Sequence, residues 1–280
     1  MYPIVKKQVL NEEVSLMEVR APLAARHARP GQFIILRVDE NGERIPLTIA
    51  DFDREKGTVT VIFQKVGATT KLLDQKNDGD TLADFVGPLG KASEFDGVHR
   101  AAVIGGGLGV AIAYPQAKAL KALGARVDLI VGFRKESLIL LEDELKAASD
   151  DLTIMTDDGS NGHKGFVTDA LRERLSAGKT YDEVIAIGPI PMMKAVCEMT
   201  RPYGIKTIVS MNSVMIDGTG MCGCCRLTVN GETRFACVDG PEFDGHQVDF
   251  DGAARRGRMY RAEEALAVET HICHLTGEVR

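Results

Sequence analysis

The strongest constraint on the fold is a glycine-rich loop that carries three closely spaced cysteines. The loop begins at Ser213, and Cys222, Cys224 and Cys225 lie among its glycines. Cys237 follows after a short extended stretch. Plant-type 2Fe-2S proteins space their ligands C-x4-C-x2-C, with a fourth cysteine further along the chain. The spacing therefore predicts an iron–sulfur cluster, because glycines let a backbone wrap closely around such a group.

The first ligand position of this loop holds a carboxylate. With Asp217 in that position the chain reads D-x4-C-x2-C, so the predicted ligands are Asp217, Cys222, Cys225 and Cys237. Cys224 is the alternative fourth ligand, but it directly precedes Cys225, and adjacent side chains in an extended loop point apart. A zinc site or unpaired thiols are the other interpretation, although C-x-C-C is a poor zinc spacing.

Composition narrows the class of protein. The 280 residues suffice for two or three domains, and the net charge of -6 argues against a nucleic-acid-binding protein. No apolar run reaches the length of a membrane span, and the N-terminal sequence lacks the apolar core of a signal peptide. Clustered cysteines without an export signal favour metal ligation over disulfides. We expect a cytoplasmic redox protein without a membrane or nucleic-acid partner.

Residues 1–97 contain the pattern of an all-β domain. The segments 32–38 and 57–63 are short, rich in β-branched residues and bounded by turn formers. Turn signals recur at Pro30-Gly31 and Asn41-Gly42. Several short strands at this spacing predict a small antiparallel barrel.

Residues 98–205 alternate between strand and helix patterns. Strands are predicted at 101–104, 126–132, 151–156 and 183–188. This alternation predicts a doubly wound parallel sheet with helical crossovers, which binds ligands at the carboxyl ends of its strands.

Residues 206–260 form the predicted cluster domain. They hold the cysteine loop and a hairpin that turns at Asn230-Gly231. The remaining residues, 261–280, begin as a helix and continue as a tail. In that tail, His271, Cys273 and His274 have the chemistry of metal ligands, but nothing else in the sequence completes a site.

Three loops of the α/β domain are candidates for nucleotide binding. Gly105-Gly-Gly-Leu-Gly lies between a strand and a helix, where backbone N–H groups can face a pyrophosphate. The run departs from G-x-G-x-x-G, because Val110 occupies the last glycine position. Two further loops follow strands, at Thr156-Asp-Asp-Gly and at Gly188-Pro. Three such loops at one sheet edge predict a ligand crevice, whereas the alternative is three ordinary turns.

Two segments of the barrel combine a predicted extended backbone with small hydroxyl residues. They are Arg44-Ile-Pro-Leu-Thr and Val66-Gly-Ala-Thr-Thr. Gly67 allows close approach of a phosphate, and the threonine hydroxyls can donate hydrogen bonds to it. From composition alone, both would be interpreted as buried strand ends.

Taken together and in order, these motifs resemble the ferredoxin–NADP reductase superfamily. The likeness covers nearly the whole chain and depends on Pro30-Gly-Gln-Phe, Arg44-Ile-Pro-Leu-Thr, Val66-Gly-Ala-Thr-Thr, Gly87-Pro-Leu-Gly, Gly105-Gly-Gly-Leu-Gly, Asp157-Asp-Gly-Ser, Gly188-Pro-Ile-Pro-Met-Met and the cysteine loop. The chain is similar to electron-transfer subunits of dihydroorotate dehydrogenase. It more closely resembles the small subunits of NADH-dependent reduced ferredoxin:NADP oxidoreductases, which also have an aspartate in the first ligand position.

The resemblance implies an FAD-binding barrel, an NAD(P)-binding domain and a 2Fe-2S domain. It implies FAD contacts at Pro46, Leu47, Thr48, Gly67, Thr69 and Thr70. It implies nicotinamide-nucleotide contacts at Gly106, Gly107, Asp157 and Gly188. Two positions depart from the superfamily pattern: Ile45 stands where its arginine is expected, one place after Arg44, and Ile187 stands where a cysteine is frequent.

The resemblance also implies a function. Hydride would pass between NAD(H) and FAD, and electrons would pass through the cluster to a larger iron–sulfur flavoprotein subunit, similar to the glutamate synthase small subunit. Such an assembly is electron-bifurcating and couples NADH and reduced ferredoxin to NADP. The alternatives are the electron-transfer subunit of dihydroorotate dehydrogenase and a non-enzymatic electron relay. In the loop after the second predicted strand, Arg134 and Lys135 could clamp a 2′-phosphate, whereas Glu136 could meet a ribose hydroxyl. The loop therefore does not decide between NADP and NAD, and NAD(H) is favoured by resemblance alone.

Overall fold

Seven antiparallel strands at the N-terminus form a nearly closed barrel in the computed structural model. The strands are β1 Tyr2–Val9, β2 Val14–Arg20, β3 Phe33–Arg37, β4 Arg44–Asp53, β5 Thr58–Gln64, β6 Thr81–Leu82 and β7 Asp84–Leu89. Their order in the sheet is β6-β1-β2-β5-β4-β3-β7. The two edge strands are consecutive in the chain, which brings the sheet edges together. Along β3, Ile34 and Leu36 point into the barrel, whereas Phe33 and Ile35 pack outward against the other domains.

Two short helices complete the barrel, α1 at Pro22–His27 and α2 at Ala68–Asp74. The extended backbone predicted for Val66-Gly-Ala-Thr-Thr is wrong from residue 68 onward, because α2 begins directly after Gly67. The Thr70 hydroxyl accepts a hydrogen bond from the Gly67 amide at 3.0 Å. This contact organises the chain at the helix start, where the first N–H groups lack partners within the helix.

A parallel sheet with helical crossovers follows the barrel. Its elements are β8 Arg100–Gly106, α3 Gly109–Ala122, β9 Arg126–Phe133, α4 Glu142–Ala147, β10 Asp151–Thr156, α5 Val167–Ser176, β11 Glu183–Ile187, α6 Ile190–Thr200 and β12 Lys206–Ser210, with short 3-10 turns at Glu136–Leu138 and Arg201–Tyr203. The parallel strand order is β10-β9-β8-β11-β12. Along β8, Ala101 and Val103 pack on the face covered by α3 and α4, and Ala102 and Ile104 on the face covered by α5 and α6. The prediction of a doubly wound sheet is therefore confirmed.

The cysteine loop and its hairpin pack on the face covered by α5 and α6. The hairpin strands are β13 Arg226–Val229 and β14 Glu232–Phe235, and a third strand, β15 Glu242–Asp244, pairs antiparallel with β12. Asn230 and Gly231 both have positive φ, as the predicted two-residue turn requires. Two helices follow, α7 at Phe250–Arg256 and α8 at Arg261–Thr276. The domain boundaries at 97/98, 205/206 and 260/261 stay predictions.

Glu242, at the start of β15, joins all three parts of the chain. Its carboxylate accepts a hydrogen bond from the Ser93 hydroxyl at 3.0 Å and another from the Gln116 side chain of α3. Nearby, the Lys91 amide donates to the carbonyl of Gly240 at 2.7 Å. The barrel, the parallel sheet and the cluster domain are thus connected at one buried junction.

The structure describes the backbone of residues 1–276 and the side chains of residues 1–269. The candidate metal ligands His271, Cys273 and His274 lie outside the described side chains. Within residues 1–276, no helix combines the length and the apolar character needed to cross a membrane.

Candidate functional site

A cleft of about 950 Å³ lies where the barrel, the parallel sheet and the cluster domain meet. Most of the residues predicted to bind cofactors line it, namely Pro46, Leu47, Thr48, Thr70, Gly106, Gly107, Asp157 and Gly188. Gly67 and Thr69 are not among the lining residues, although they share a turn with Thr70. The cluster domain contributes Met211 and Met215 to the same cleft.

The barrel wall of the cleft is the first half of β4. Residues 44–48 pair with β3 on one side, whereas pairing with β5 begins only at Ile49. The other edge of residues 44–48 is therefore not used by the sheet. Pro46 suits this position because proline has no N–H to satisfy. An open strand edge leaves backbone groups of the neighbouring residues available to a ligand.

The turn that precedes α2 has its hydroxyls partnered within the protein. The Thr69 hydroxyl donates to the Glu43 carboxylate at 3.0 Å. The Thr70 hydroxyl donates to the carbonyl of Gly67 at 3.1 Å and accepts from the amide of the same residue. To bind a phosphate, either hydroxyl would have to exchange its present acceptor for a phosphate oxygen. Only Thr70 faces the cleft already.

The opposite wall depends on glycines that allow close backbone packing. A Cβ atom on Gly109 would lie 2.3 Å from the carbonyl oxygen of Ile187, so only glycine lets the start of α3 approach the end of β11. This is the helix–strand packing role of the last glycine in a dinucleotide fingerprint. The sequence pattern expects this glycine at position 110, where Val110 stands. The glycine with the packing role is therefore one residue early, at Gly109. Gly107 has φ +56°, which also favours glycine.

Met192 is a cleft residue that the sequence analysis missed. Its sulfur would lie 2.6 Å from a Cβ on Gly106, and its methyl group 2.8 Å from a Cβ on Gly188. The side chain thus fills the space between the two glycine loops. Phe166, at the start of α5, also lines the cleft while 60% exposed. The available signal for Phe166 was a large aromatic residue in the glycine-containing segment after the predicted strand 151–156, and Met192 had none beyond its place after Gly188-Pro.

The cysteine loop has the backbone that the sequence predicted. Gly218, Gly220 and Gly223 all have positive φ, between +70° and +83°. The two cysteines at the end of the loop and after the hairpin, Cys225 and Cys237, are both buried. The Cys237 amide donates to the Cys225 sulfur at 3.4 Å. An N–H⋯S bond of this kind stabilises a thiolate and tunes an iron–sulfur cluster.

The thiols lie in two pairs. Burial, followed by a hydrogen bond with Cys225, raises the pKa of the Cys237 thiol to about 12. A hydrogen bond with Cys222 is the main cause that raises the pKa of Cys224. Both shifts reflect the cost of forming a thiolate here, which comes first from burial for Cys237 and first from the neighbouring thiol for Cys224. A bound metal reverses that cost, because it coordinates thiolates directly.

Asp217 lies beside the first cysteine of the loop. Its carboxylate accepts hydrogen bonds from the amide of Thr219 at 3.0 Å and from the amide of Cys222 at 3.1 Å. The Thr219 bond is the main cause that keeps the pKa of Asp217 below its ordinary value. The side chain is therefore an ionised oxygen donor next to a thiol, which is a suitable chemistry for an iron ligand.

The donor set has the composition that a 2Fe-2S cluster takes, with sulfur and oxygen ligands. Among the described residues, no three Cys, His, Asp or Glu side chains converge on one point where a lone metal ion would be held. A 2Fe-2S cluster takes its four ligands on two irons rather than one. The Cys222 amide donates to the Asp217 carboxylate and the Cys237 amide donates to the Cys225 sulfur, so the four predicted ligands lie in two groups of two. The assignment of these four residues as the ligands remains a prediction.

Arg44 makes a contact that the sequence did not indicate. Its Nε donates to the carbonyl of Ile216 at 3.2 Å, one residue before Asp217. Arg44 is not among the residues that line the cleft. Nothing here therefore supports Arg44 as a flavin-phosphate ligand in place of the arginine that the superfamily has one position later. The side chain instead connects β4 of the barrel with the cysteine loop.

Comparison with known proteins identifies the family. The iron-sulfur cluster binding domain of dihydroorotate dehydrogenase B matches residues 212–249, and the oxidoreductase NAD-binding domain matches residues 103–198. A dihydroorotate dehydrogenase B (NAD(+)) electron transfer subunit homolog of Thermotoga maritima is 45% identical, over 96% of this chain and 95% of its own length. The chain belongs to the family of dihydroorotate dehydrogenase B electron-transfer subunits and their homologues.

Within this family, two further proteins are similar over nearly the full length. An uncharacterised protein in the adh 3′ region of Clostridium beijerinckii is 50% identical, over 95% of this chain and 93% of its own. A solved structure of NADH-dependent reduced ferredoxin-NADP oxidoreductase, described for its insights into flavin-based electron bifurcation, contains a chain 43% identical to this one. The two superimpose with a TM-score of 0.91 over 97% of this chain and 98% of the other.

These findings confirm several predictions made from the sequence. The resemblance, the three-part fold class and the assignment as an oxidoreductase subunit that uses FAD, NAD(H) and a 2Fe-2S cluster all hold. The individual contacts proposed for flavin, nucleotide and iron stay predictions, because the comparisons match domains rather than single side chains.

Proposed function

We propose that this chain is the flavin and iron–sulfur subunit of an electron-bifurcating oxidoreductase. In this proposal, hydride passes between NAD(H) and FAD, and electrons pass through the 2Fe-2S cluster to a larger subunit that couples ferredoxin and NADP(H). One observation carries the proposal: a single cleft is faced by the predicted flavin residues, the glycine loops and the cluster domain. The similarity to the bifurcating oxidoreductase over 97% of the chain supports it.

The side chains and backbone of the cleft bind and orient rather than react. Flavin and nicotinamide supply the hydride chemistry when bound, and the protein supplies position and electrostatics. The open edge of residues 44–48 would hydrogen-bond the flavin, and the Thr70 hydroxyl would donate a hydrogen bond to a phosphate of the same cofactor. The N-terminus of α3 would present N–H groups to the dinucleotide pyrophosphate, whereas the Gly107 amide already donates to the carbonyl of Gly132 at 2.9 Å. Gly106 and Gly188, with the Met192 side chain between them, would line the place of the nicotinamide half.

The cluster would be held by Asp217, Cys222, Cys225 and Cys237 at the outer end of the site. The surface around this loop is apolar and exposed, formed by Val214, Ile216, Met221 and Val238, with Met221 88% exposed. Apolar side chains grouped around a redox loop mark a surface that a protein partner covers. We propose that this partner is the larger subunit, an iron–sulfur flavoprotein similar to the glutamate synthase small subunit, and that the complex works in the reducing cytoplasm.

Two other functions are less well supported. An electron-transfer subunit of dihydroorotate dehydrogenase itself would be expected to place cysteine, not Asp217, first in the loop. A relative of that name from Geobacillus thermodenitrificans is 35% identical over 88% of this chain, less than the bifurcating oxidoreductase on both measures. A non-enzymatic relay would not need the glycine loops and Asp157 at the cleft.

The complex isolated from its native source tests the proposal. We expect a second, larger chain to co-purify, and the flavin released from this subunit by denaturation to be FAD. NADH should bleach that flavin in a stopped-flow experiment, and NADP should be reduced only when NADH and reduced ferredoxin are both present. Oxidation of dihydroorotate by the complex, or release of FMN from this subunit, would contradict the proposal. Failure of NADH to reduce the flavin would favour the relay.

A further inference from the structure

Two cations at the end of β9 are already paired with carboxylates of the barrel. The Arg134 guanidinium donates to both carboxylate oxygens of Glu13, at 2.8 and 2.9 Å. The Lys135 ammonium donates to Glu12 at 2.7 Å. The two acids lie on the turn between β1 and β2, so both ion pairs cross from the barrel to the nucleotide domain. Arg134 and Lys135 are the two residues that the sequence analysis named as candidates to bind a 2′-phosphate.

The Glu13–Arg134 pair lines the cleft at the ends of β9 and β10, where the adenosine half of a dinucleotide would lie. In the sheet, the Gly188 loop of β11 lies on one side of β8, and the ends of β9 and β10 lie on the other. A dinucleotide whose pyrophosphate binds above β8 and whose nicotinamide lies toward Gly188 extends its adenosine over β9 and β10. There Glu13, Arg134 and Asp157 line the same cleft. Doubly wound folds recognise the ribose 2′ position at the end of the second strand, with an acid for the hydroxyl or an arginine for the phosphate.

Glu13 is fixed in its position by the barrel. Its carboxylate also accepts a hydrogen bond from the Gln64 side chain at 2.6 Å, and its amide donates to Asn11 at 2.9 Å. The Glu13 side chain is 32% exposed, whereas that of Arg134 is 68% exposed. Glu13 is therefore held in place by the barrel, and the more exposed Arg134 side chain extends to reach it.

The local charge is unfavourable to an added phosphate. The amide of Asp157 donates to the carbonyl of Phe133 at 3.0 Å, which brings the loops after β9 and β10 side by side. Those loops carry Asp157 and Asp158 next to the Glu13 pair. Hydrogen bonding to Lys135 keeps the pKa of Glu12 below its ordinary value, so this acid is ionised at neutral pH. A 2′-phosphate would meet carboxylates on both sides, and the two cations at the end of β9 are already paired. Lys164, whose side chain packs over Gly159 in the loop after β10, is a nearby cation that makes no ion pair among the described residues.

We propose that Glu12 and Glu13 select NAD(H) over NADP(H) by occupying Lys135 and Arg134 and by placing negative charge beside the ribose 2′ position. The inference rests on the proposed function, since it concerns the nucleotide of the same cleft. It assigns part of the cofactor choice to the flavin barrel rather than to the nucleotide domain. Glu13 is the main determinant, because its pair lines the cleft and that of Glu12 does not.

The test compares Glu12→Gln, Glu13→Gln and the double variant, each in the complete complex. Flavin bleaching by NADH and by NADPH is followed by stopped flow, and the change relative to the parent complex isolates this subunit's contribution from that of the larger subunit. We expect Glu13→Gln to raise the efficiency of NADPH by about tenfold, with NADH changed less than about twofold. Glu12→Gln should have a smaller effect, because exposed pairs are weak. High salt should reduce the gain, since screening weakens attraction between exposed charges.

Two control variants make the outcome specific. Glu18→Gln removes a barrel carboxylate that pairs with Lys6 away from the cleft, and should leave both nucleotides unchanged. Adding Arg134→Ala to Glu13→Gln should abolish the gain, because the released arginine is the proposed phosphate ligand. A gain that survives Arg134→Ala, or an unchanged ratio in Glu13→Gln, would overturn the inference. Loss of flavin from Glu13→Gln without a changed ratio would show that the pair serves flavin instead. If neither nucleotide reduces the parent flavin, the proposed function fails, and not the inference alone.

Discussion

Replacing Gly109 by alanine should disrupt the nucleotide half of the cleft. The new Cβ would lie 2.3 Å from the carbonyl oxygen of Ile187, 2.8 Å from its carbonyl carbon and 2.9 Å from the Cα of Gly188. All three are backbone atoms, which cannot rotate away as a side chain can. Since real Cβ contacts do not fall below 3.0 Å, α3 and the end of β11 must separate by about 0.7 Å.

The separation of α3 from β11 should lower the free energy of unfolding by an amount that can be bounded. Overpacking of a well-packed interior costs typically about 1–3 kcal/mol. In a unit of this size each kcal/mol lowers the melting temperature by roughly 2–4 °C, so we expect a decrease of about 2–12 °C. Alanine gains up to about 1 kcal/mol of helix propensity over glycine, so the net loss lies toward the lower end of these ranges. A displacement approaching 1 Å at the pyrophosphate site can reduce hydride transfer by up to about 100-fold.

Thermal unfolding of the complex and stopped-flow reduction of its flavin by NADH measure the two effects. Gly257→Ala is the matched control, because a Cβ there would meet nothing closer than 3.6 Å and its φ of −63° suits any residue. We expect this control to stay within about 0.5 kcal/mol of the parent. A Gly109→Ala variant that keeps both the parent melting temperature and the parent NADH rate would refute the close-packing account of this glycine.

Two further predictions concern the cluster and the interdomain junction. Asp217→Cys should retain the cluster but lower its reduction potential in an EPR-monitored titration, because a thiolate donates more electron density than a carboxylate. Cys224→Ser should change the potential little. Loss of the cluster in Cys224→Ser alone would reverse the ligand assignment. Burial raises the pKa of Glu242 to about 7, so the folded state holds a proton that the unfolded state releases above its ordinary pKa of 4.5. The contribution of Glu242 to stability is thus complete below about pH 4.5 and is lost as the pH rises through about 7. Melting temperatures across this range should fall less steeply in Glu242→Gln than in the parent, and equal slopes would contradict the assignment.

Short-range patterns predicted much of the fold, because local chemistry determines them. The Asn230-Gly231 turn follows from two residues that tolerate positive φ, and the nucleotide loops follow from the rule that parallel strands end at one sheet edge. The start of α2 was missed because the Thr70 contact with Gly67, rather than hydrophobic periodicity, defines it.

Contacts between distant residues could not be predicted from the sequence. Arg134 and Glu13 are 121 positions apart, and Arg44 and Ile216 are 172 positions apart. Charge and hydrogen-bonding capacity were visible at each position, but the partner was determined only when the barrel packed on the sheet. The sequence therefore left Arg134 as a candidate phosphate ligand, and the fold supplied the carboxylate that competes for it.

The pairing of β15 with β12 has a consequence for how the cysteine loop is held in place. Through this edge strand, whose Phe243 is opposite Val209, the cysteine loop is attached to the sheet that carries the nucleotide loops. The barrel, which carries the predicted flavin residues, is attached to the same cluster domain through Arg44 and Lys91. The cluster domain is thus held to both walls of the cleft. A substitution that loosened either attachment would therefore shift the cysteine loop relative to both predicted cofactor sites.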